Sequence, residues 1–413
     1  KTSRALRGMV EAFYREGKQI LLLSYTNRAV DEISKALASI EPEIDFIRLG
    51  SELSCDDSFR PYLIENVLEP CATRRQVQER IARCRVFVGT VATLSSKTEL
   101  FRLKTFDVAI VDEATQILEP QLLGLLCTRN PAGADAIGKF ILIGDHKQLP
   151  AVVLQSSEQS EVCDEALQAI GLYNLKDSLF ERLYRNLSKE SANRQASTSH
   201  SSSFIPHPSY DMLCRQGRMN IEVALFPNRA FYGGLLEPVG LPHQQGELTL
   251  APELCLNFLP AAVEPPAQSA KMNHSEARIV ARLAAAIYRQ YAAVSGFNPA
   301  VTLGVITPYR SQISLIKKEI AALGIAPLED ILVDTVERFQ GSERDVIIYS
   351  FCVNRAYQLK FLANMTEENG TRIDRKLNVA LTRARKQMFM TGVPQLLKLN
   401  PIYAELLSVV CHS

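Results

Sequence analysis

The chain has 413 residues, too many for one compact core, and domains of roughly 100–200 residues make two the expected number. Hydrophobic residues make up 46% and charged residues 22%, which is ordinary for a folded protein. The 46 Lys and Arg against 45 Asp and Glu leave a net charge of +1, which excludes a uniformly basic protein that coats nucleic acid but permits a local basic groove.

The nine cysteines form no C-x-x-C pair and none of the spacings of a zinc site. Their odd number in a large chain predicts reduced thiols in a cytoplasmic or nuclear compartment. The longest apolar runs, such as residues 140–143, fall far short of the ~20 residues of a membrane span, so no membrane partner is expected. The abrupt start at Lys1, without Met, predicts that the chain belongs to a longer polypeptide.

Short apolar runs that end in polar residues recur through the first half of the chain. They occupy residues 19–23, 86–88, 108–111 and 140–143. Continuous apolar runs of this length indicate strands buried on both faces, and hence a parallel sheet. Helical patterns at residues 30–37 and 120–126 lie between them, so this half is predicted to be an α/β domain whose ligands bind at the carboxyl ends of the strands.

A second series of apolar runs follows at residues 301–306, 331–333, 346–351 and 388–390. It predicts a second parallel-sheet domain, with the boundary at residues 1–212 and 213–413. Mixed polar sequence at about 41–85 predicts a helical insertion in the first domain. The serine-rich stretch at about 188–209 predicts a mobile loop.

Asp112 and Glu113 come directly after an apolar strand. A carboxylate at a strand end can hold a hydrated Mg²⁺, while its neighbour accepts a proton from an attacking water. The alternative is that both residues only satisfy the N-terminus of a following helix.

Residues 144–150, Gly-Asp-His-Lys-Gln-Leu-Pro, close the next strand of the series. Gln148 offers an amide that can orient water and sense a γ-phosphate, whereas a simple polar strand-to-helix turn is the alternative. Lys1 and Thr2 fit the last two positions of a phosphate-binding loop, in which Lys reaches the phosphates and the hydroxyl binds Mg²⁺.

Two arginines of the second half are candidates to neutralise charge on a γ-phosphate: Arg218 and Arg383. An isolated Arg is more often a surface or ion-pair residue. If residues 378–385 were helical, Arg383 and Arg385 would lie about 200° apart and could not both face one nucleotide.

These segments stand in one order along nearly the whole chain. Together they resemble the superfamily 1 helicases, in the branch of the nonsense-mediated-decay RNA helicase and its DNA-helicase relatives. The motifs that carry the resemblance are Lys1-Thr2 (end of motif I) and residues 26–31 (Ia), 89–90 (Ib), 112–114 (II), 144–150 (III), 216–219 (IV), 333–343 (V) and 377–385 (VI).

The resemblance implies two tandem RecA-like domains that hydrolyse ATP with Mg²⁺ in the cleft between them and move, 5′-to-3′, along single-stranded DNA or RNA. It implies a monomeric motor. Lys1 and Thr2 would hold phosphate, Thr2 and Asp112 the metal, Glu113 would activate water and Gln148 would read the γ-phosphate. Arg218 and Arg383 would be arginine fingers. The nucleotide would also contact Gln216, Gly341 and Glu343, and the nucleic-acid strand Thr26, Asn27, Thr90, Thr307, Pro308, Tyr309 and Thr335.

Two departures from the family pattern stand out. The glycine-rich part of motif I is absent, so this chain alone is expected to bind ATP poorly, and Gly217 occupies a position where relatives often carry an aromatic that stacks on adenine. Arginines at positions 74, 75, 80, 83 and 85 fit either an extension of the nucleic-acid track or a solvated helix face. An ATP-gated clamp that does not unwind is the alternative function, whereas a small-molecule kinase is disfavoured by two tandem sheets.

Overall fold

The computed structural model describes residues 2–196, 210–245, 256–265, 269–368 and 370–410. The chain divides into two compact units. The first comprises Lys1–His146 and Pro150–Met212, and the second comprises Lys147–Leu149 and Leu213–Ser413. The two units divide between residues 212 and 213, the position at which the sequence predicts the domain boundary. Three residues of the 144–150 motif, Lys147–Leu149, are an exception because they belong to the second unit.

A five-stranded parallel sheet is the centre of the first unit. Its strands, in chain order, are β1 (Ile20–Ser24), β2 (Phe46–Leu49), β3 (Val86–Thr90), β4 (Val108–Val111) and β5 (Phe140–Leu142). They lie side by side in the order β2-β3-β1-β4-β5, and every pairing is parallel. The four strands expected from apolar runs are therefore confirmed, and the carboxyl ends of β1, β3, β4 and β5 share one edge of the sheet.

Helices pack on both faces of this sheet and bury strands β1 to β4, whereas β5 is only partly buried. The helices are α1 (Arg7–Arg15), α2 (Asn27–Ala38), α3 (Ile64–Leu68), α4 (Arg74–Arg83), α5 (Val91–Ser96), α6 (Leu100–Leu103), α7 (Glu119–Leu126), α8 (Glu165–Ala169) and α9 (Leu179–Ala196). A π-helical turn, Thr2–Leu6, precedes α1, and short 3₁₀ turns lie at Glu52–Ser54, Asp57–Tyr62, Ala114–Gln116 and Glu158–Ser160.

The prediction of a helical insertion at about 41–85 is wrong in part, because that stretch contains β2. The strand is easily missed in the sequence because Arg48 interrupts its apolar residues. Arg48 is fully buried and forms an ion pair with Asp31 of α2, so its charge is compensated inside the unit rather than facing water.

The loop predicted at about 188–209 is also wrong over its first part. Helix α9 continues to Ala196, since residues 188–196 carry no proline or glycine that would end it. Residues 197–209 lie outside the described part of the chain.

The second unit is built on another five-stranded parallel sheet. Its strands are β8 (Leu256–Pro260), β9 (Leu303–Ile306), β10 (Leu332–Asp334), β11 (Arg344–Ser350) and β14 (Ala384–Gly392), in the order β10-β9-β11-β14-β8. All four pairings are parallel. The predicted α/β class with two tandem parallel sheets is confirmed, and the edge strand β8 is an addition to it.

Two small two-stranded sheets accompany the large one: β6 (Arg215–Gln216) with β7 (Glu237–Pro238), and the hairpin β12 (Met365–Glu368) with β13 (Thr371–Asp374). The helices are α10 (Ile221–Phe231), α11 (Pro242–Gln245), α12 (His274–Val294), α13 (Arg310–Ala321), α14 (Ala326–Glu329), α15 (Val336–Phe339), α16 (Leu359–Leu362), α17 (Arg375–Leu381), α18 (Pro394–Leu397) and α19 (Pro401–Val410), with a 3₁₀ turn at Ala356–Gln358. No helix in the described ranges has both the length and the apolar character needed to cross a bilayer.

Glu276 in the first turn of α12 is fully buried beside the end of β11. Its carboxyl oxygen Oε2 accepts hydrogen bonds from the Ser350 hydroxyl (2.7 Å) and the Cys352 amide (2.9 Å). Burial raises the pKa of Glu276 to about 8, although these two hydrogen bonds oppose the rise, and the charge of Glu264 adds to it. The carboxyl group is therefore protonated in the folded unit at neutral pH.

This shift predicts how the stability of the second unit depends on pH. Between the ordinary value of 4.5 and about 8, the folded state keeps a proton that the unfolded state has lost, so stability falls as pH rises through this window. We expect the melting temperature of the wild type to fall by about 4 °C per pH unit between pH 6 and 8. Glu276→Gln keeps an acceptor for Ser350 and Cys352 but cannot titrate, so this fall should be absent in the variant. Calorimetry at several pH values measures it. The exposed Glu329→Gln is the control, and equal pH slopes in wild type and Glu276→Gln would contradict the assignment.

Candidate functional site

Asp112 and Glu113 lie at the carboxyl end of β4, as expected from the sequence. Asp112 is buried, and its amide donates to the carbonyl of Leu23 on the neighbouring β1 (2.8 Å). Glu113 adopts a left-handed backbone conformation, with φ of 53°, which is strained for a residue with a side chain. Its carboxylate accepts from the Gln116 amide (3.0 Å) and caps no helix, since only the short 3₁₀ turn Ala114–Gln116 follows. Simple helix capping therefore does not account for this acidic pair.

Gly144 follows β5 and is required by packing. A Cβ at this position would stand 2.8 Å from Cγ2 of Thr115 and 3.2 Å from the ring of Phe180. Thr115 directly follows the Asp112–Ala114 segment, so the glycine lets the end of β5 lie close to the acidic turn. Contact with protein atoms therefore explains this glycine.

Gln148 and Arg383 meet in the second unit. The guanidinium Nη2 of Arg383 donates to Oε1 of Gln148 (3.1 Å). Gln148 is held there by its neighbour Lys147, whose carbonyl accepts from the Asn378 amide (2.7 Å) and whose ammonium donates to the carbonyl of Phe231 (2.9 Å). Motifs III and VI of the resemblance are thus joined by direct hydrogen bonds.

Arg383 stands in the turn between α17 and β14 and is only 2% exposed. It also donates to the carbonyls of Val379 (3.1 Å) and Ser342 (3.4 Å). The alternative of an ordinary surface arginine is therefore wrong for this residue. Residues 378–385 do not form one helix, because α17 ends at Leu381, so the argument from the helical spacing of Arg383 and Arg385 does not apply.

Arg218 lies beside Glu343, with 2.6 Å between Nε and the carboxylate. Arg385 approaches the same carboxylate (3.7 Å) and also Asp345 (3.3 Å). Burial alone would raise the pKa of Glu343, but the positive charges of Arg218, Arg385 and Arg383 outweigh this effect and hold the pKa below its usual value. Glu343 is therefore an anion that positions arginines. A direct contact with the nucleotide phosphates would be electrostatically unfavourable for it.

Gln216 and Gly341 are the remaining predicted nucleotide residues of this unit. Oε1 of Gln216 accepts from the amides of Arg218 (3.0 Å) and Met219 (2.9 Å), so this side chain stabilises its own loop. A Cβ on Gly217 would stand 3.2 Å from Val239, which leaves little room for the aromatic that relatives carry. Gly341 has φ of 80°, a conformation that favours glycine.

The predicted nucleic-acid residues share a position, since each group follows a parallel strand and precedes a helix. The hydroxyl of Thr26 caps α2 by accepting from the Ala29 amide (3.2 Å), and that of Thr90 caps α5 through Thr93 (3.1 Å). Tyr309 and Thr335 occupy the N-cap positions of α13 and α15. Asn27 opens α2, and Pro308 precedes Tyr309.

Thr307 differs from the other residues of this group because it is fully buried at the end of β9. Its amide donates to the carbonyl of Asp334 (3.1 Å), which joins the ends of β9 and β10. Its side chain cannot reach a nucleic-acid strand on the surface without rearrangement. Packing therefore explains its place in the motif.

The arginines of the 74–85 stretch are largely engaged within the first unit. Arg80 forms two hydrogen bonds with Asp45 (2.8 and 2.9 Å), and Arg75 pairs with Glu79 (2.7 Å). The Arg85 guanidinium lies over the Tyr14 ring, 3.6 Å from its centroid. These contacts favour a solvated, ion-paired helix face over an extension of the nucleic-acid track.

The carboxylate of Asp112 is a ligand of the type that Mg²⁺ takes. Within the described ranges, no group of three or more His, Cys, Asp or Glu side chains could hold a metal ion. Mg²⁺ commonly uses one or two protein oxygens and completes its shell with water and phosphate oxygens, so a buried carboxylate at a strand end fits it. Lys1 lies outside the described residues, and of Thr2 only the backbone, at the start of the π-helical turn, is described.

Comparison with known proteins agrees with this arrangement. Two family models described as AAA domain match residues 175–395 and 70–156. The chain belongs to this AAA-domain family, and its two tandem RecA-like units make it a superfamily 1 helicase core of the branch expected from its motifs.

Several helicases are similar to the chain. It is 28% identical over 426 residues to the DNA replication ATP-dependent helicase/nuclease DNA2 of Bos taurus, covering 95% of this chain and 35% of that protein. It is 27% identical over 347 residues to the DNA polymerase alpha-associated DNA helicase A of Saccharomyces cerevisiae, covering 77% and 44%. The chain spans about a third of the length of the DNA2 relatives that it matches.

Among solved structures, that of arterivirus nonstructural protein 10, a helicase, in complex with DNA matches 99% of this chain and 61% of that chain. The TM-score is 0.45 and the sequence identity 12%.

Proposed function

We propose that this chain is the motor of an ATP-dependent helicase that moves along single-stranded DNA, in the 5′-to-3′ direction. The observation that supports it most directly is the hydrogen bond between Arg383 and Gln148, because it joins a candidate γ-phosphate sensor to a candidate arginine finger. The names of the relatives, which are DNA helicases, favour DNA over RNA as the strand.

In the proposed reaction, Glu113 accepts a proton from the water that attacks the γ-phosphate of ATP. Asp112 and Thr2 would hold Mg²⁺, which neutralises charge on the phosphates, and Lys1 would contact them. Arg218 and Arg383 would stabilise the charge that develops on the transferred phosphoryl group. Glu343 acts by holding Arg218 in place, and Gln216 by holding its loop.

The strand would run over the N-termini of α2 and α13, whose first backbone amides suit phosphate oxygens without reading base identity. Thr26, Asn27 and Thr90 would serve the first unit, and Pro308, Tyr309 and Thr335 the second. Thr307 acts by fixing the end of β9.

The test is ATP hydrolysis by a polypeptide that carries the phosphate-loop glycines ahead of Lys1, with and without oligo(dT). We expect single-stranded DNA to raise kcat at least about tenfold, because strand binding and hydrolysis are coupled in a motor. Absence of stimulation by DNA or RNA contradicts the proposal. ATP-dependent binding without release of a labelled strand from a tailed duplex identifies an ATP-gated clamp instead.

A further inference from the structure

Two aromatic side chains of the second unit stand out because they are exposed. Tyr357, in the 3₁₀ turn Ala356–Gln358, is 58% exposed, and Phe361, in α16, is 64% exposed. Their rings are neighbours, with centroids 6.5 Å apart and an interplanar angle of 85°. Folding alone does not account for them, since exposing so much aromatic surface to water is unfavourable.

The segment that carries the pair is itself firmly held. Gln358, Leu359 and Leu362 point inward and are buried, whereas Tyr357, Lys360 and Phe361 point outward. The outward face therefore alternates aromatic rings with a lysine. Rings for stacking beside positive charge for the backbone are what binding of a single strand requires.

One end of the segment is fixed to a predicted nucleic-acid residue. The amide of Gln358 donates to the Tyr309 hydroxyl (3.1 Å) and to the carbonyl of Ala270 (2.9 Å). Burial raises the pKa of Tyr309, whereas the hydrogen bond with Gln358 opposes the rise. The aromatic pair thus adjoins the N-terminus of α13.

The other end is fixed to a second predicted nucleic-acid segment. The ammonium group of Lys376 donates to the carbonyl of Phe361 (3.3 Å) and pairs with Glu337 (3.2 Å), two residues after Thr335. Burial would raise the pKa of Glu337, but Lys376 holds it below its usual value, so the carboxylate is neutralised by a partner. The pair therefore lies between the two segments of this unit that the proposed function assigns to the strand.

We propose that Tyr357 and Phe361 form a stacking platform for the bases of the single-stranded nucleic acid bound by the second unit. The proposal rests on the proposed function and adds base contacts to a track otherwise made of phosphate contacts. Because every base has a π-face, the platform would bind strands of any sequence. The occupant is a nucleic-acid strand rather than a protein, since the pair adjoins two candidate phosphate-contact segments and exposed basic side chains, Arg310 and Lys360.

The experiment measures the affinity of the full chain for fluorescent 20-nucleotide strands by anisotropy, with oligo(dT), oligo(U) and a strand whose central nucleotides lack bases. We expect Tyr357→Ala and Phe361→Ala each to weaken binding of the intact strands about 5- to 100-fold. Binding of the abasic strand should be equal in wild type and variants. A merely structural role would weaken binding of both kinds of strand.

Two conservative variants separate ring stacking from general hydrophobic contact. Tyr357→Phe keeps the ring and should bind within about twofold of wild type, whereas Phe361→Leu keeps apolar area without a ring and should behave like Phe361→Ala. Leu399→Ala, which truncates another exposed apolar side chain of this unit, is the matched control and should leave affinity unchanged.

The outcomes are distinguishable. If wild type binds no strand, the proposed function itself fails. If wild type binds but Phe361→Ala and Tyr357→Ala bind the intact strand equally well, the platform is overturned while the function stands. A change in oligomeric state with unaltered strand affinity would also overturn it, because it would identify the pair as a protein contact.

Discussion

Arg383→Lys is expected to reduce nucleic-acid-stimulated ATP hydrolysis by about 10³-fold in a polypeptide that includes the phosphate-loop glycines. Lysine keeps the positive charge but cannot replace the planar group that contacts Gln148, Val379 and Ser342 at once. The loss should appear in kcat with little change in KM, since the contact with the phosphoryl group would form in the transition state. Steady-state kinetics with a coupled assay measure both.

Arg385→Lys is the matched control for this prediction. Arg385 is two residues away and pairs with Glu343 and Asp345, but it has no assigned contact with nucleotide. We expect its ATPase activity to stay within about threefold of wild type, because lysine keeps the positive charge that pairs with Glu343 and Asp345. Two outcomes would show that the Arg383 guanidinium acts in folding rather than in catalysis. One is a similar loss of activity in both variants. The other is a melting temperature that falls only in Arg383→Lys, in proportion to its lost activity.

Glu113→Gln is expected to lower kcat about 10²- to 10⁴-fold while ATP still binds, because the amide cannot accept a proton from water. The substitution should be well tolerated structurally, since a glutamine oxygen can still accept from the Gln116 amide and the left-handed backbone is unchanged. Hydrolysis under single-turnover conditions and binding of a fluorescent ATP analogue separate the two properties.

The control for Glu113→Gln is Glu79→Gln, which removes an exposed carboxylate of the same unit. Its kcat should equal that of wild type. If Glu113→Gln also hydrolyses ATP at the wild-type rate, Glu113 is not the base, and the strain at this residue needs another explanation.

Most of the sheet framework could be predicted from the sequence, because strands buried on both faces leave continuous apolar runs. Two strands of the five-stranded sheets were missed, β2 and β8, and both contain polar residues. Arg48 in β2 is neutralised by Asp31 from another element, and Asn257 lies in the edge strand β8. Such compensation depends on contacts between distant segments, which local periodicity does not record.

The candidate site was predicted unevenly for the same reason. Spacing located Asp112 and Glu113, because a carboxylate pair after an apolar run is a local signal. The contact of Arg383 with Gln148 joins residues 235 positions apart, and the family resemblance suggested both residues but not their hydrogen bond. The sequence did not single out the proposed platform pair Tyr357 and Phe361, because exposed aromatics are recognised only when burial is known.

Because Lys147–Leu149 belong to the second unit, the two units cannot be separated by a single cut at the boundary between residues 212 and 213. A polypeptide cut at residue 213 would lack Leu149, which is buried in the core of that unit and whose loss removes about 1.5–3 kcal/mol of stabilisation. It would also leave the Asn378 amide without its acceptor on Lys147 and remove Gln148 from Arg383. The carboxyl-terminal half expressed alone should therefore be less stable than the same unit in the whole chain. A version that also carries Lys147–Leu149 should recover part of that stability.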